Sequence, residues 1–248
     1  MKGIEMKEII FKIIENRHLN EKVMRIRMQG DCSAIERAGQ FVDLQVEGQF
    51  LRRPFSVCDV EGDVCTVCYR INGRGTEALS LIPEGREISV LTGLGNGYDL
   101  SLSGERPVLI GGGMGYPPMY ITAKQLIERG VKPTVVLGFN TVSELLYEEE
   151  FKALGCDVLV TTVDGSYGIK GFVTDALKEL DYTYFYTCGP EPMFKALHAN
   201  TKTSGEFSFE ARMGCGFGAC MGCSCETLVG TKRICKDGPV MKKEEIKW

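Results

Sequence analysis

Histidine and tryptophan are nearly missing from this sequence: it has only His18, His198 and Trp248. With so few imidazoles, a His-rich zinc or non-haem iron centre is excluded, and a Ser–His or Cys–His nucleophile is disfavoured. Long apolar runs are absent too, since no stretch approaches the roughly 18 residues a spanning helix needs. Lys2, Glu5, Lys7, Glu8, Lys12 and Glu15 interrupt the short apolar runs from Met1 to Asn16, so the N-terminus reads as neither secretory signal nor membrane span. No excess of one charge exists: 29 basic and 33 acidic residues leave a net charge of -4, which gives no general attraction to nucleic acid or anionic membranes. Internal repeats and low-complexity segments are likewise absent. A composition of 44% hydrophobic and 25% charged residues excludes disorder and fibrous structure.

Glycine and cysteine, by contrast, are plentiful, at 30 and 11. An odd cysteine count without a secretory signal argues against a disulfide framework and for a reducing compartment, the cytoplasm. Chemistry must then come from thiolates, glycine loops and bound cofactors. The 248 residues allow one large domain or two to three small ones.

The hydrophobic pattern changes twice along the chain. Short apolar runs at Ile9 to Ile14, Val23 to Met28, Phe41 to Val46, Phe55 to Val60, Val64 to Ile71 and Glu87 to Leu91 are separated by Gly, Asp and Asn about every ten residues. This predicts a small antiparallel barrel over residues 1–103, interrupted by a helix at Thr76 to Leu81. Residues 104–203 alternate strand and helix: strands at Val108 to Ile110, Thr134 to Gly138, Val158 to Thr162 and Tyr184 to Thr187, with helices near Pro118 to Arg129, Ser143 to Leu154, Phe172 to Leu180 and Pro192 to Ala199. That rhythm predicts a Rossmann-like parallel sheet. A small Cys- and Gly-rich module over 204–248 completes the chain, so the fold class is multidomain β and α/β.

Cys215, Cys220, Cys223 and Cys235 have the spacing C-x4-C-x2-C followed by a distant Cys, the plant-type ferredoxin pattern for a 2Fe–2S cluster. Gly214, Gly216, Gly218 and Gly222 allow the tight turns that aim N–H groups at sulfur. A zinc knuckle is the bland alternative, but it prefers paired C-x2-C units and only one is present. Cys225 reads as a neighbour of the ligands, and Cys32, Cys58, Cys65, Cys68 and Cys156 as small buried hydrophobes.

Arg53-Pro54-Phe55-Ser56 and the run Tyr69-Arg70-Ile71 followed by Gly73, Gly75 and Thr76 could grip a diphosphate by guanidinium and helix N-terminus. On spacing alone Arg53 reads equally well as an ordinary barrel-turn arginine. Val108-Leu109-Ile110-Gly111-Gly112-Gly113-Met114-Gly115 is a strand entering a glycine turn before a helix, the context for a pyrophosphate although not a strict G-x-G-x-x-G. Thr187-Cys188-Gly189-Pro190-Glu191-Pro192-Met193 repeats that arrangement, with Cys188 alternatively a packing residue. No Arg or Lys occurs in Gly138-Phe139-Asn140-Thr141, which favours NAD over NADP.

These segments resemble the ferredoxin-NADP reductase superfamily, and the resemblance implies FAD at the R-P-F-S and Y-R-I segments and Cys188 beside the hydride-transfer point. The module order, with Gly93-Leu94-Gly95-Asn96-Gly97-Tyr98, Asp164-Gly165-Ser166-Tyr167-Gly168, Phe209-Glu210-Ala211-Arg212-Met213-Gly214-Cys215-Gly216 and Cys235-Lys236-Asp237-Gly238-Pro239-Val240, resembles the electron-transfer subunits of NAD-dependent dihydroorotate dehydrogenase over nearly the whole chain. Small departures are Leu91-Thr92-Gly93 in place of a Gly-Pro pair, Asn72 before the G-x-G-T, and a short gap before Cys235. The resemblance implies a relay from the FMN of a separate catalytic subunit through the 2Fe–2S cluster and FAD to NAD+, in pyrimidine biosynthesis, within a heterotetramer. Two other readings share these motifs: a reductase subunit serving a bifurcating transhydrogenase or a sulfite or sulfide system, and an iron–sulfur sensor with a vestigial nucleotide fold.

Overall fold

The computed structural model describes residues 6–248, so Lys2 and Glu5 of the N-terminal reading lie outside it. Among these residues the first part closes into a six-stranded barrel: β1 (Lys7–His18), β2 (Val23–Gln29), β3 (Phe41–Leu44), β4 (Arg53–Glu61), β5 (Val64–Arg70) and β6 (Glu87–Leu94), in the order β1-β2-β5-β4-β3-β6. Every neighbouring pair is antiparallel. The period-2 pattern explains the closure, because Phe11, Ile13, Ile26, Met28, Val42, Leu44, Val67 and Val90 are all buried in one core. Helix α1 (Arg74–Ser80) lies between β5 and β6, as expected.

A connection over residues 95–106 leads into β7 (Pro107–Gly112), α2 (Tyr116–Glu128), β8 (Thr134–Phe139), α3 (Glu148–Ala153), β9 (Asp157–Thr162), β10 (Ile169–Lys170), α4 (Val173–Leu177), β11 (Tyr184–Cys188) and α5 (Glu191–Asn200). Strand β7 is buried at every position, as a central parallel strand covered on both faces must be. One expected helix is divided. Ser143 to Leu154 forms a 3-10 turn at Val142–Glu144 and then α3, with Tyr147 between them in the left-handed region at φ 68°. The cause is tertiary: the Tyr147 ring packs 4.7 Å from Tyr116 and 5.2 Å from Tyr120, and its hydroxyl lies 3.4 Å from Cys68 Sγ on the barrel. Helix propensity yields to that burial.

The sheet continues past residue 203. Strand β12 (Gly205–Ser208) pairs parallel with β11, and β15 (Val240–Lys242) pairs antiparallel with β12, giving the seven-strand order β10-β9-β8-β7-β11-β12-β15. Between those two strands the chain makes an excursion through the cysteine loop and a hairpin of β13 (Ser224–Thr227) and β14 (Gly230–Arg233). An edge-to-face aromatic series, Phe185–Phe207, Phe207–Phe194 and Phe194–Phe209, each at 5.2 Å, binds β11, α5 and β12 together. Among the described residues no helix is long and apolar enough to cross a membrane.

Candidate functional site

A cavity of about 1220 Å3 opens where the barrel meets the C-terminal ends of the parallel strands. The crevice beyond those strand ends is where open α/β sheets hold ligands. The barrel wall comes from β4 through Arg53, Pro54, Phe55 and Ser56, from β5 through Tyr69 and Arg70, and from α1 through Thr76. Phe55 and Tyr69 form an apolar face, their rings 5.4 Å apart. The sheet wall comes from Gly112, Gly113 and Gly115 in the turn before α2, and from Gly189 and Pro190 before α5.

Four residues singled out from the sequence stand behind these walls. Ile71 donates its N–H to Lys22 O at 2.8 Å. Gly75 lies under the Arg53 guanidinium, since a Cβ there would be 2.2 Å from Arg53 Nε. A Cβ there would push the guanidinium off the helix start. Gly111 backs onto the Tyr116 backbone. Cys188 is 1% exposed, and burial first, then the Glu210 carboxylate, hold its thiol well above the ordinary range, with Ser208 opposing by a hydrogen bond. It is therefore a neutral thiol below the cavity floor. At Gly115 the backbones of two turns touch, because a Cβ would stand 1.9 Å from Cys188 O.

Arg53 is held by its own loop, donating from Nη1 to Leu51 O at 2.5 Å and from Nη2 to Gln49 Oε1 at 2.9 Å. Thr76 Oγ1 accepts the Asn72 N–H at 2.7 Å and donates to Gly73 O at 3.1 Å, fixing the turn into α1. At the sheet end of the cavity, Glu144 accepts from Asn140 N at 3.2 Å and Nδ2 at 2.9 Å. An acidic side chain thus stands beside the cation-free segment noted above.

The four cysteines of the C-terminal loop come together in two pairs. Cys215 Sγ accepts N–H bonds from Ala219 at 3.2 Å and Cys220 at 3.4 Å, and Cys220 Sγ accepts from Gly222 at 3.4 Å. Cys223 Sγ accepts from Cys235 N at 3.4 Å. Burial raises the Cys215 pKa, but the surrounding N–H groups and the Cys220 thiol outweigh it and bring Cys215 down to about 6. Among the described residues no three His, Cys, Asp or Glu side chains converge as a cage for a single ion requires. Two thiol pairs are instead the donor set a binuclear cluster takes, two to each iron. Cys225 stays outside the pairs, opposite Lys232 in the hairpin. Cys32, Cys58, Cys65, Cys68 and Cys156 are buried, and all eleven cysteines are free.

The sequence left Phe209, Glu210, Ala211, Arg212 and Met213 without individual roles, yet all five line the cavity. This segment carries the cavity wall directly to Cys215. Its one sequence signal was the resemblance carried by the run from Phe209 to Gly216. Met193, the last residue of the Thr187 to Met193 motif, and Phe172, at the start of the expected fourth helix, also line the cavity.

A flavin-type barrel joined to a nicotinamide-type sheet across one long cavity defines an oxidoreductase of the ferredoxin-NADP reductase-like fold. Residues 109–199 match the oxidoreductase NAD-binding domain, and residues 210–247 match the iron-sulfur cluster binding domain of dihydroorotate dehydrogenase B. The dihydroorotate dehydrogenase B (NAD+) electron transfer subunit of Bacillus pumilus is 41% identical over 97% of this chain and 98% of its own, and that of Fusobacterium nucleatum is 40% identical over 94% and 95%. The chain belongs to this family of electron transfer subunits. Among solved structures, that of an NADH-dependent reduced ferredoxin-NADP oxidoreductase, reported for flavin-based electron bifurcation, is similar with TM-score 0.86 at 31% identity, covering 96% of this chain and 90% of that one. The ferredoxin reductase of carbazole 1,9a-dioxygenase, at 19% identity and TM-score 0.68 over 79% of this chain and 65% of that one, shares the fold alone.

Proposed function

We propose that this chain passes electrons between an FMN-containing dihydroorotate dehydrogenase catalytic subunit and NAD+, using a 2Fe–2S cluster and FAD. The observation that carries the reading is continuity: residues 209–213 wall the cavity and run straight into Cys215, so the nucleotide-sized space and the thiol loop are neighbours. A flavin supplies the conversion between the two-electron hydride of a nicotinamide and the single electrons of an iron–sulfur cluster. The protein's residues bind, orient and shield.

Arg53, Pro54, Phe55, Ser56, Tyr69, Arg70, Ile71, Gly75 and Thr76 serve the FAD side: aromatic rings make a flat apolar wall, and Arg53 over the start of α1 offers positive charge to a diphosphate. Gly111, Gly112, Gly113, Gly115, Gly189 and Pro190 shape the nicotinamide side, where the absence of Cβ atoms leaves backbone N–H groups open to phosphate. Cys188 closes the floor as a neutral thiol. Cys215, Cys220, Cys223 and Cys235 hold the cluster. Cys220 is exposed, flanked by exposed Phe217 and Met221, which fits a surface that a partner covers. The partnership, as a heterotetramer in the cytoplasm, accords with the relatives' designation as subunits and with eleven free thiols.

The test is an anaerobic visible spectrum of the purified chain during separate titrations with NADH and NADPH. Flavin and iron–sulfur bands bleached by NADH and hardly by NADPH are expected. Dihydroorotate oxidation should require the added catalytic subunit; oxidation by the chain alone would overturn the division of labour. The likeness to a bifurcating oxidoreductase supports a second reading, a reductase subunit for another acceptor. Co-purification of a different partner from the native source would select it.

A further inference from the structure

Strand β3 alternates between two environments. Val42 and Leu44 belong to the barrel core, whereas Phe41 belongs to a second buried cluster that also holds Cys223, Cys235 and sheet residues. Asp43, two positions from Phe41, shares that outward face. Its carboxylate is seated directly on the thiol loop: a Cβ added to Gly216, the residue after Cys215, would stand 2.5 Å from Asp43 Oδ2. Gly216 has φ 76°, so the loop turns there in a conformation glycine favours, and the missing Cβ admits the carboxylate.

This carboxylate is 2% exposed, and its Oδ1 has no hydrogen-bond partner. The two nearest cations are engaged elsewhere. Arg52 donates to Asp43 O at 3.3 Å, to Ser89 O at 3.0 Å and to Glu8 Oε1 at 2.5 Å. Arg53 donates to Leu51, Arg52 and Gln49. Burial pushes the Asp43 pKa up to about 6, while Arg52 and Arg53 pull it down.

Reduction adds an electron to a group that already carries four thiolates, and a neighbouring buried carboxylate disfavours the added negative charge in a medium that screens poorly. We propose that Asp43 is a potential-setting residue: its buried carboxylate against Gly216 lowers the reduction potential of the cluster held by the loop. The inference rests on the assignment of the four thiols above. Its consequence is directional, because a lower potential makes the cluster a stronger electron donor to the flavin beyond the barrel wall.

The test is EPR-monitored potentiometric titration of the iron-loaded, flavin-loaded protein at about pH 8, comparing the natural chain with Asp43→Asn and Asp43→Ser. Both substitutions remove the charge, and they differ in size. The expected result is a shift of the cluster midpoint to higher potential in each, with cluster content, visible spectrum and NADH-dependent flavin bleaching retained. An unchanged or lower midpoint overturns the proposal. Loss of the cluster in both variants with flavin kept also overturns it, since Asp43 would then serve assembly of the loop. A natural chain without any cluster signal would instead refute the thiol assignment, which separates the two failures.

Discussion

Arg53 shows how one side chain can depend on another residue's lack of one. Its guanidinium lies over Gly75, where a Cβ would displace it, and is steadied by Gln49 and Leu51. Replacement by Ala removes both the charge facing the cavity and the cover over the start of α1. Arg53→Ala is expected to lower flavin content severalfold after gel filtration, measured by the absorbance ratio of flavin to protein; unchanged content would mean the phosphate is held by other groups. Cys220 is the exposed thiol of its pair, so Cys220→Ser is expected to abolish the iron–sulfur bands while NADH still bleaches the flavin. Simultaneous loss of both signals would show that the cavity and the thiol loop do not act separately.

Among the elements, the segment between barrel and sheet carries more than connection. Asn96 donates through Nδ2 to Val240 O at 2.8 Å, accepts from Val240 N at 3.1 Å, and donates its own N–H to Gly238 O at 2.8 Å. One amide therefore docks the segment that follows Cys235 and leads into β15. Asn96→Ala leaves two backbone groups without partners, at a cost of about 1–3 kcal/mol. The expected outcome is a lower denaturation midpoint together with faster loss of iron during dialysis; loss of stability alone would confine Asn96 to the fold. Tyr147 shows the same influence on α3, where its contacts with Tyr116, Tyr120 and Cys68 break what periodicity reads as a single helix.

For the whole molecule, Glu206 couples the modules to pH. It is 4% exposed on β12 and accepts the N–H of Asp99, in the connection from the barrel, at 3.0 Å. Burial raises its pKa from the ordinary 4.5 to about 7, opposed by the Asp99 N–H. The folded chain thus prefers the neutral carboxyl. That preference contributes fully below about pH 4.5 and is lost as pH rises through about 7. Glu206→Gln keeps an acceptor without the charge, so thermal unfolding should show the variant gaining on the natural chain by on the order of 1–3 kcal/mol between about pH 5 and pH 8. A difference that does not change with pH would place the ionisation elsewhere.

Much of this protein was legible from local pattern. Alternation with regular turns specified the barrel strands, continuous apolar runs between helices specified the parallel strands, and C-x4-C-x2-C with a distant Cys specified a thiolate site, because each signal lies within a few neighbouring residues. What sequence order could not decide was proximity. The pairing of Cys215 with Cys220 and Cys223 with Cys235, the cover of Arg53 over Gly75, the cavity-lining run from Phe209 to Met213 and the seat of Asp43 on Gly216 join positions up to 173 residues apart. The strands on either side of the thiol loop likewise joined the nucleotide sheet, since β12 and β15 are too short to signal their pairing and are held by the edge they complete. The chain itself determined which cofactor chemistries are available; the folded structure decided which charges and thiols stand against one another, because only packing removes the water that would otherwise screen them.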